Sequence, residues 1–157
     1  MKKLFLTSLF VFIAFIAFSQ LAESFDDAKT QGISPKVDSI YQSACHRDST
    51  KAVFPHSGEF MVGYKDFLQK LASYLYKNGF KCGTTGMGYF NRIYFSPNGK
   101  IDYYLYKFMP GTIDSLREME FKRLANEFIK EYQFPLTANK KFAQCSHVVL
   151  CDPADKK

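Results

Sequence analysis

Tryptophan is absent from this 157-residue chain, prolines number six and cysteines four. Six scattered prolines exclude a Pro-rich spacer and a collagen-like repeat. Four cysteines fall well below the density of a small disulfide scaffold, so an apolar core must hold the chain together. The longest hydrophobic run, Leu4–Phe18, stops short of the roughly 20 residues that cross a bilayer as a helix. Charge of one sign is never gathered: Lys51, Lys65, Lys70, Lys77, Lys81, Arg92, Lys100 and Lys107 stand singly between apolar residues. A formal net charge of +6 spread this way is not the basic stripe of a nucleic-acid binder. What the chain has in quantity is aromatic, with 17 Phe and 10 Tyr. With 46% hydrophobic and 23% charged residues, it reads as one globular domain rather than a disordered tail or a coiled coil.

The N-terminus reads as an address. Lys2 and Lys3 precede the apolar run, and Ala17-Phe18-Ser19 places small residues where a signal peptidase needs them, with cleavage before Gln20. Residues 1–19 are therefore expected to be a signal peptide, exporting a soluble periplasmic or secreted protein. Removing Lys2 and Lys3 with it lowers the formal net charge by two units. An uncleaved anchor is the alternative.

Residues 20–52 are polar, with Gly32 and Pro35 interrupting any helix and a short helix conceivable over Lys36 to Ala44; they read as a lead-in arm. From 53 to 151 the pattern sharpens. Tyr64, Phe67, Leu68, Leu71, Tyr74 and Leu75 recur at three- and four-residue spacing, one apolar stripe of a helix ended by Asn78-Gly79. A loop, Gly83 to Gly88, leads into a strand running through Ser96. Pro97-Asn98-Gly99 is a hairpin signal, and Lys100 to Phe108 is the return strand. Ser115 and Glu118 have the spacing of a capping box, opening a helix whose stripe is Phe121, Leu124, Ala125, Phe128 and Tyr132. Pro135 stops it. A last strand, Phe142 to Leu150, precedes a charged tail, 152–157. The expected fold is α+β: helix-strand-strand-helix-strand, a three-stranded antiparallel sheet with two helices packed on it.

Cys45, Cys82, Cys145 and Cys151 lie beyond the signal, and an exported chain would oxidise them. Cys145 and Cys151 bracket one extended strand, six steps of about 3.3 Å apart. A disulfide needs Cα atoms within about 7 Å, so that pair is excluded and Cys45–Cys82 with it. Two connectivities remain open.

Several local sequences, taken in order, resemble the C-terminal domain of TonB-type energy transducers. Phe54-Pro55-His56-Ser57-Gly58 is similar to that family's opening Phe-Pro-Gly-Gly. Phe67-Leu68 and Tyr74-Leu75 fit its first helix. Ile93-Tyr94-Phe95-Ser96-Pro97-Asn98-Gly99-Lys100-Ile101 resembles its hairpin, and Phe134-Pro135 stands where the family has Trp-x-Pro. The family's Tyr-Pro after the first helix is replaced here by Gly79-Phe80-Lys81-Cys82, and its anchor and Pro-rich spacer are missing. The resemblance implies strand order 2-1-3, with the last strand beside the first. It thereby implies Cys82–Cys151 and Cys45–Cys145 as the disulfides, and a partner peptide adding beside the last strand.

No pattern points to catalysis. Cys45-His46 and Cys145-Ser146-His147 lack the paired C-x-x-C spacing of a structural zinc site. Gly83 to Gly88 follows a helix and opens a strand, the reverse of a phosphate loop. Asp26-Asp27 and Glu118-Glu120 read as solvated or helix-terminal charge. The expectation is a non-enzymatic interaction module with no metal, cofactor, nucleic acid or small-molecule substrate. Its partner would be an extended segment of an envelope protein added along Phe142, Gln144, Ser146, Val148 and Leu150. An exposed aromatic patch, Tyr104, Tyr106 and Phe108, opposite Ile101, Tyr103 and Leu105, would give selectivity. The alternatives are an exported thiol- or metal-dependent enzyme built on Cys45, Cys145 and His147, or an anchored energy transducer.

Overall fold

The Pro97-Asn98-Gly99 turn closes the hairpin from which the sheet is built, with Ser96 N–H donating to Lys100 O at 2.9 Å. A computed structural model of the chain describes residues 20–83 and 86–152. The proposed signal, 1–19, and the tail from 153 onward lie outside the described residues, as does part of the glycine-rich loop.

The expected three-stranded antiparallel sheet with two helices does not hold. Among the described residues the elements are β1 (Leu21–Ser24), α1 (Phe25–Thr30), α2 (Ser34–Asp38), β2 (Gln42–Ser43), α3 (Ser57–Lys77), β3 (Met87–Phe95), β4 (Ile101–Phe108), α4 (Ser115–Glu131) and β5 (Phe142–Leu150). They form one five-stranded mixed sheet, ordered β1-β4-β3-β5-β2. β3 pairs antiparallel with β4 and β5, whereas β1 runs parallel to β4 and β2 parallel to β5. The polar arm supplies both additions. It starts on one sheet edge as β1, crosses one face as α1 and α2, and ends on the opposite edge as β2. Few apolar residues suffice for this, because Ala28, Val37 and Tyr41 bury against Tyr94, Leu105 and Ala143. The short helix ends at Asp38, leaving Ile40 51% exposed.

The other face carries α3 and α4. Phe60, Tyr64, Phe67, Leu71 and Leu75 from α3 and Phe121, Leu124, Ala125, Phe128 and Ile129 from α4 join the sheet's large side chains in one cluster. The α4 cap sits one residue earlier than the capping-box spacing implies. Asp114 is the N-cap, its carboxylate accepting from Arg117 N–H at 3.0 Å.

Strict alternation fails in β4. Tyr94 is opposite Tyr103 but Phe95 is opposite Ile101, which leaves Asp102 as the extra residue of a bulge. The bulge shifts Ile101 onto the same face as Tyr104, Tyr106 and Phe108. All four enter the helix-side core, at 0%, 0%, 1% and 9% exposure. The expected exposed aromatic patch is therefore interior. Asp102, displaced, accepts from the Tyr41 hydroxyl at 2.6 Å and sits 3.5 Å from Lys141 Nζ.

Candidate functional site: the open edge of β5

β2 covers only the first two residues of β5, pairing Gln42 with Phe142 and Ser43 with Ala143. Which backbone groups then stay open follows from parity. Met109 N–H donates to Gly88 O, so Gly88 faces β4 and its odd-numbered neighbours in β3 face β5. Their partners, Phe142, Gln144, Ser146, Val148 and Leu150, are thus spent on the β3 ladder. The outward groups belong to the odd residues, and Ala143 O duly accepts from Ala44 N–H at 2.8 Å. Beyond Ala143 the free groups are those of Cys145, His147 and Val149. Among the described residues no strand meets them, and only the Gln144 side-chain amide reaches Cys145 O, at 3.2 Å.

The expected edge set is therefore corrected by one residue. The even residues hold the strand in the sheet, and their side chains face α3. The signal for this parity lies in the hairpin turn, which fixes which β3 residues look at β4, but the bulge at Asp102 obscures it.

A groove of about 440 Å³ runs beside this edge. Its α3 wall is Met61, Val62, Tyr64, Lys65 and Leu68, and its strand wall is Ser146 and His147. Met61 and Val62 are 45% and 72% exposed. Beneath it, the Tyr64 hydroxyl donates to Asn91 Oδ1 at 2.9 Å and lies 2.9 Å from Ser146 Oγ. Burial pushes the Tyr64 hydroxyl's pKa upward, so it stays protonated and ties α3, β3 and β5 together. His147 lies on the opposite face from Val148 and packs on Phe90, ring centroids 5.1 Å apart.

All four cysteines are thiols in this structure. Cys45 packs on the helix-side core with its N–H 3.3 Å from Gln144 Oε1, and Cys145 shares the far face of β5 with Ala143 and His147. Cys82 and Cys151 lie close enough to act on each other electrostatically. Cys82 and Gly83 N–H donate to the Asp152 carboxylate at 2.9 and 3.2 Å. Burial, then Asp152 and Cys151, push the Cys82 thiol up to about 11. The described residues contain no group of three His, Cys, Asp or Glu able to hold a metal ion, so Cys45, Cys145 and His147 do not form one centre.

No protein-family model, curated protein or solved structure matches this chain. Among the described residues, no helix is long and apolar enough to cross a membrane.

Proposed function

We propose that the chain is a non-enzymatic interaction module of the cell envelope that takes an extended segment of another protein as an extra strand on β5. The observation that carries this is the run of outward backbone groups at Cys145, His147 and Val149 beside an apolar groove. Backbone bonds give affinity in such an arrangement, and alternate side chains of the added segment give specificity. An open edge of this length is otherwise an aggregation hazard. The resemblance to TonB-type domains, whose partners add beside the last strand, supports the same edge, and the N-terminal export pattern supports the compartment.

Proline at Val148 would break the β3–β5 ladder itself, so the edge is tested at His147, whose N–H points outward. Proline is tolerated at such edge positions. With a photo-crosslinker at exposed Met61, the wild-type protein should capture an envelope protein that the His147→Pro variant, with unchanged circular dichroism, does not. Equal capture by both would refute strand addition, and a product of twice the chain's own mass would replace the heterologous partner with a second copy.

Export also implies oxidation, and we infer that Cys82 and Cys151 form a disulfide. Exposed Cys151 is the sulfur that oxidised glutathione reaches, forming a mixed disulfide and releasing one glutathione; the Cys82 thiolate then attacks Cys151 Sγ, breaks the mixed S–S bond and releases the second glutathione as its thiol. Bonding them should add about 2–4 kcal/mol. After incubation with oxidised glutathione, peptide mapping should find Cys82 joined to Cys151, with Cys45 and Cys145 still alkylatable. Either of those two joined to Cys82 would overturn the pairing.

A further inference from the structure

The far side of the sheet from the β5 edge holds a cleft of about 510 Å³ between α1, β4 and α4. Asp26 and Asp27 reach it from α1 and Glu118 from α4. Two lysines line it as well, but both are engaged: Lys107 Nζ lies 3.3 Å from the Asp26 carboxylate, and Lys122 pairs with buried Glu23. The carboxylates of Asp27 and Glu118 have no hydrogen-bond or ion-pair partner among the described residues.

A cluster of acids alone would be ordinary surface. Tyr106 makes this one different. It is 1% exposed, it lines the cleft, and its hydroxyl has no hydrogen-bond partner although it lies near Glu118, Glu23 and Asp27. The hydroxyl keeps a small opening to the cleft, so the partner that the fold does not supply comes from the cleft side. Burial, followed by Asp27 and Asp26, also raises the Glu118 carboxyl above the usual carboxylate range, even with Lys122 acting in the opposite direction.

Above the polar floor, the walls are apolar. Met109 and Met119 are 50% and 68% exposed, with Pro110 and Ile113 beside them. A second groove of about 420 Å³, lined by Phe25, Phe90 and Phe108, continues from Met109 and Pro110. A bare metal ion would not use these walls, and two uncompensated carboxylates are too few ligands for one.

We propose that this cleft binds an organic cation, an ammonium or guanidinium group carried on an aliphatic stem. The cation would lie between Asp27 and Glu118, the Tyr106 hydroxyl would complete its shell, and the stem would run along Met109 and Met119 toward Phe25 and Phe90. Charge-assisted bonds to carboxylates give such a site its selectivity, and methionines give it tolerance of stem shape.

The test titrates the purified protein, followed by NMR, with agmatine, with a blocked tripeptide carrying a central arginine, and with neutral 1-pentanol. Saturable shifts confined to residues around Asp27, Met109 and Glu118 are expected with the cations and not with pentanol. Glu118→Gln and Asp27→Asn should each weaken binding by about tenfold, the loss of one charge-assisted bond. Tyr106→Phe should weaken it less, while leaving the ring packed in the core. Both charge variants change partly or fully exposed side chains, so their folding can be verified from unchanged spectra. Tighter binding of the tripeptide assigns the cation to a protein side chain, and tighter binding of agmatine assigns it to a free amine. The proposal is overturned if neither cation saturates, if pentanol binds as well, or if Glu118→Gln binds agmatine unchanged.

Discussion

Phe121→Ala is expected to lower the free energy of unfolding by about 3–5 kcal/mol, the range for emptying a large buried aromatic site. Phe121 is 0% exposed and sits at the centre of five rings. Its centroid lies 4.9 Å from Tyr106, 5.0 Å from Phe108, 5.6 Å from Tyr89, 5.8 Å from Phe80 and 6.4 Å from Tyr104. The Tyr106 and Phe108 contacts are edge-to-face, the arrangement that adds to simple area burial. Rings on two strands, β3 and β4, and on the segment after α3 all converge on this one side chain, so little can collapse into the space it leaves. A domain of ordinary stability, about 5–15 kcal/mol, would lose a third of it or more. Urea unfolding should show a lower midpoint at unchanged slope. Leu116→Ala on the same helix, at a position 80% exposed, should stay within about 0.5 kcal/mol of wild type. A Phe121→Ala cost below about 1 kcal/mol would mean that the sheet and α4 are not packed as described.

Gly99→Ala should be nearly as damaging, for a different reason. Gly99 has φ +83, and an added Cβ would meet Phe134 O at 2.7 Å and Leu136 O at 2.9 Å. The left-handed backbone alone costs a side-chain-bearing residue roughly 1–2 kcal/mol. Both blocking atoms are backbone carbonyls of the segment joining α4 to β5. That segment is fastened to the turn, with Phe134 N–H donating to Gly99 O at 3.1 Å and Ala138 N–H to Pro97 O at 2.8 Å. Room for the methyl group comes only by breaking those bonds, so the total should reach about 3–5 kcal/mol, overpacking added to strain. Gly111→Ala separates the two effects. Its φ is +75 with nothing within 4 Å, so it should show the backbone cost alone. Equal destabilisation of the two variants would show that the turn does not clamp the connection.

The contrast between these positions also marks what the sequence could disclose. α3, α4 and the strands β3, β4 and β5 carry their own periodicity, since Tyr64-Phe67-Leu71 and Phe121-Leu124-Phe128 each need only one buried side to make a stripe. β1 and β2 carry none. Ala22 and Ala28 bury completely but are too small and too few to raise a pattern, and two residues of β2 cannot alternate. Their places are fixed by β4 and β5, far along the chain, and local spacing does not report that. The aromatic strand misled for a related reason. Its parity depends on Asp102, whose bulge is visible only once Tyr41 and Lys141 surround that carboxylate. The acidic cleft was equally hidden, because Asp26 and Asp27 read as helix-terminal charge until Glu118 stands beside them.

The crossing of the sheet by residues 20–52 imposes an order of assembly. This segment leaves the ribosome before the rest of the sheet, yet each of its strands needs a neighbour made later, β1 needing β4 and β2 needing β5. It can dock only after the hairpin and the last strand have come together. Its closure therefore joins the two ends of the chain's history in a final, long-range step, the kind of contact that slows folding most. Until that step Asp26 and Asp27 are not opposite Glu118, so any molecule that favours the completed cleft would also act as a latch on the finished fold.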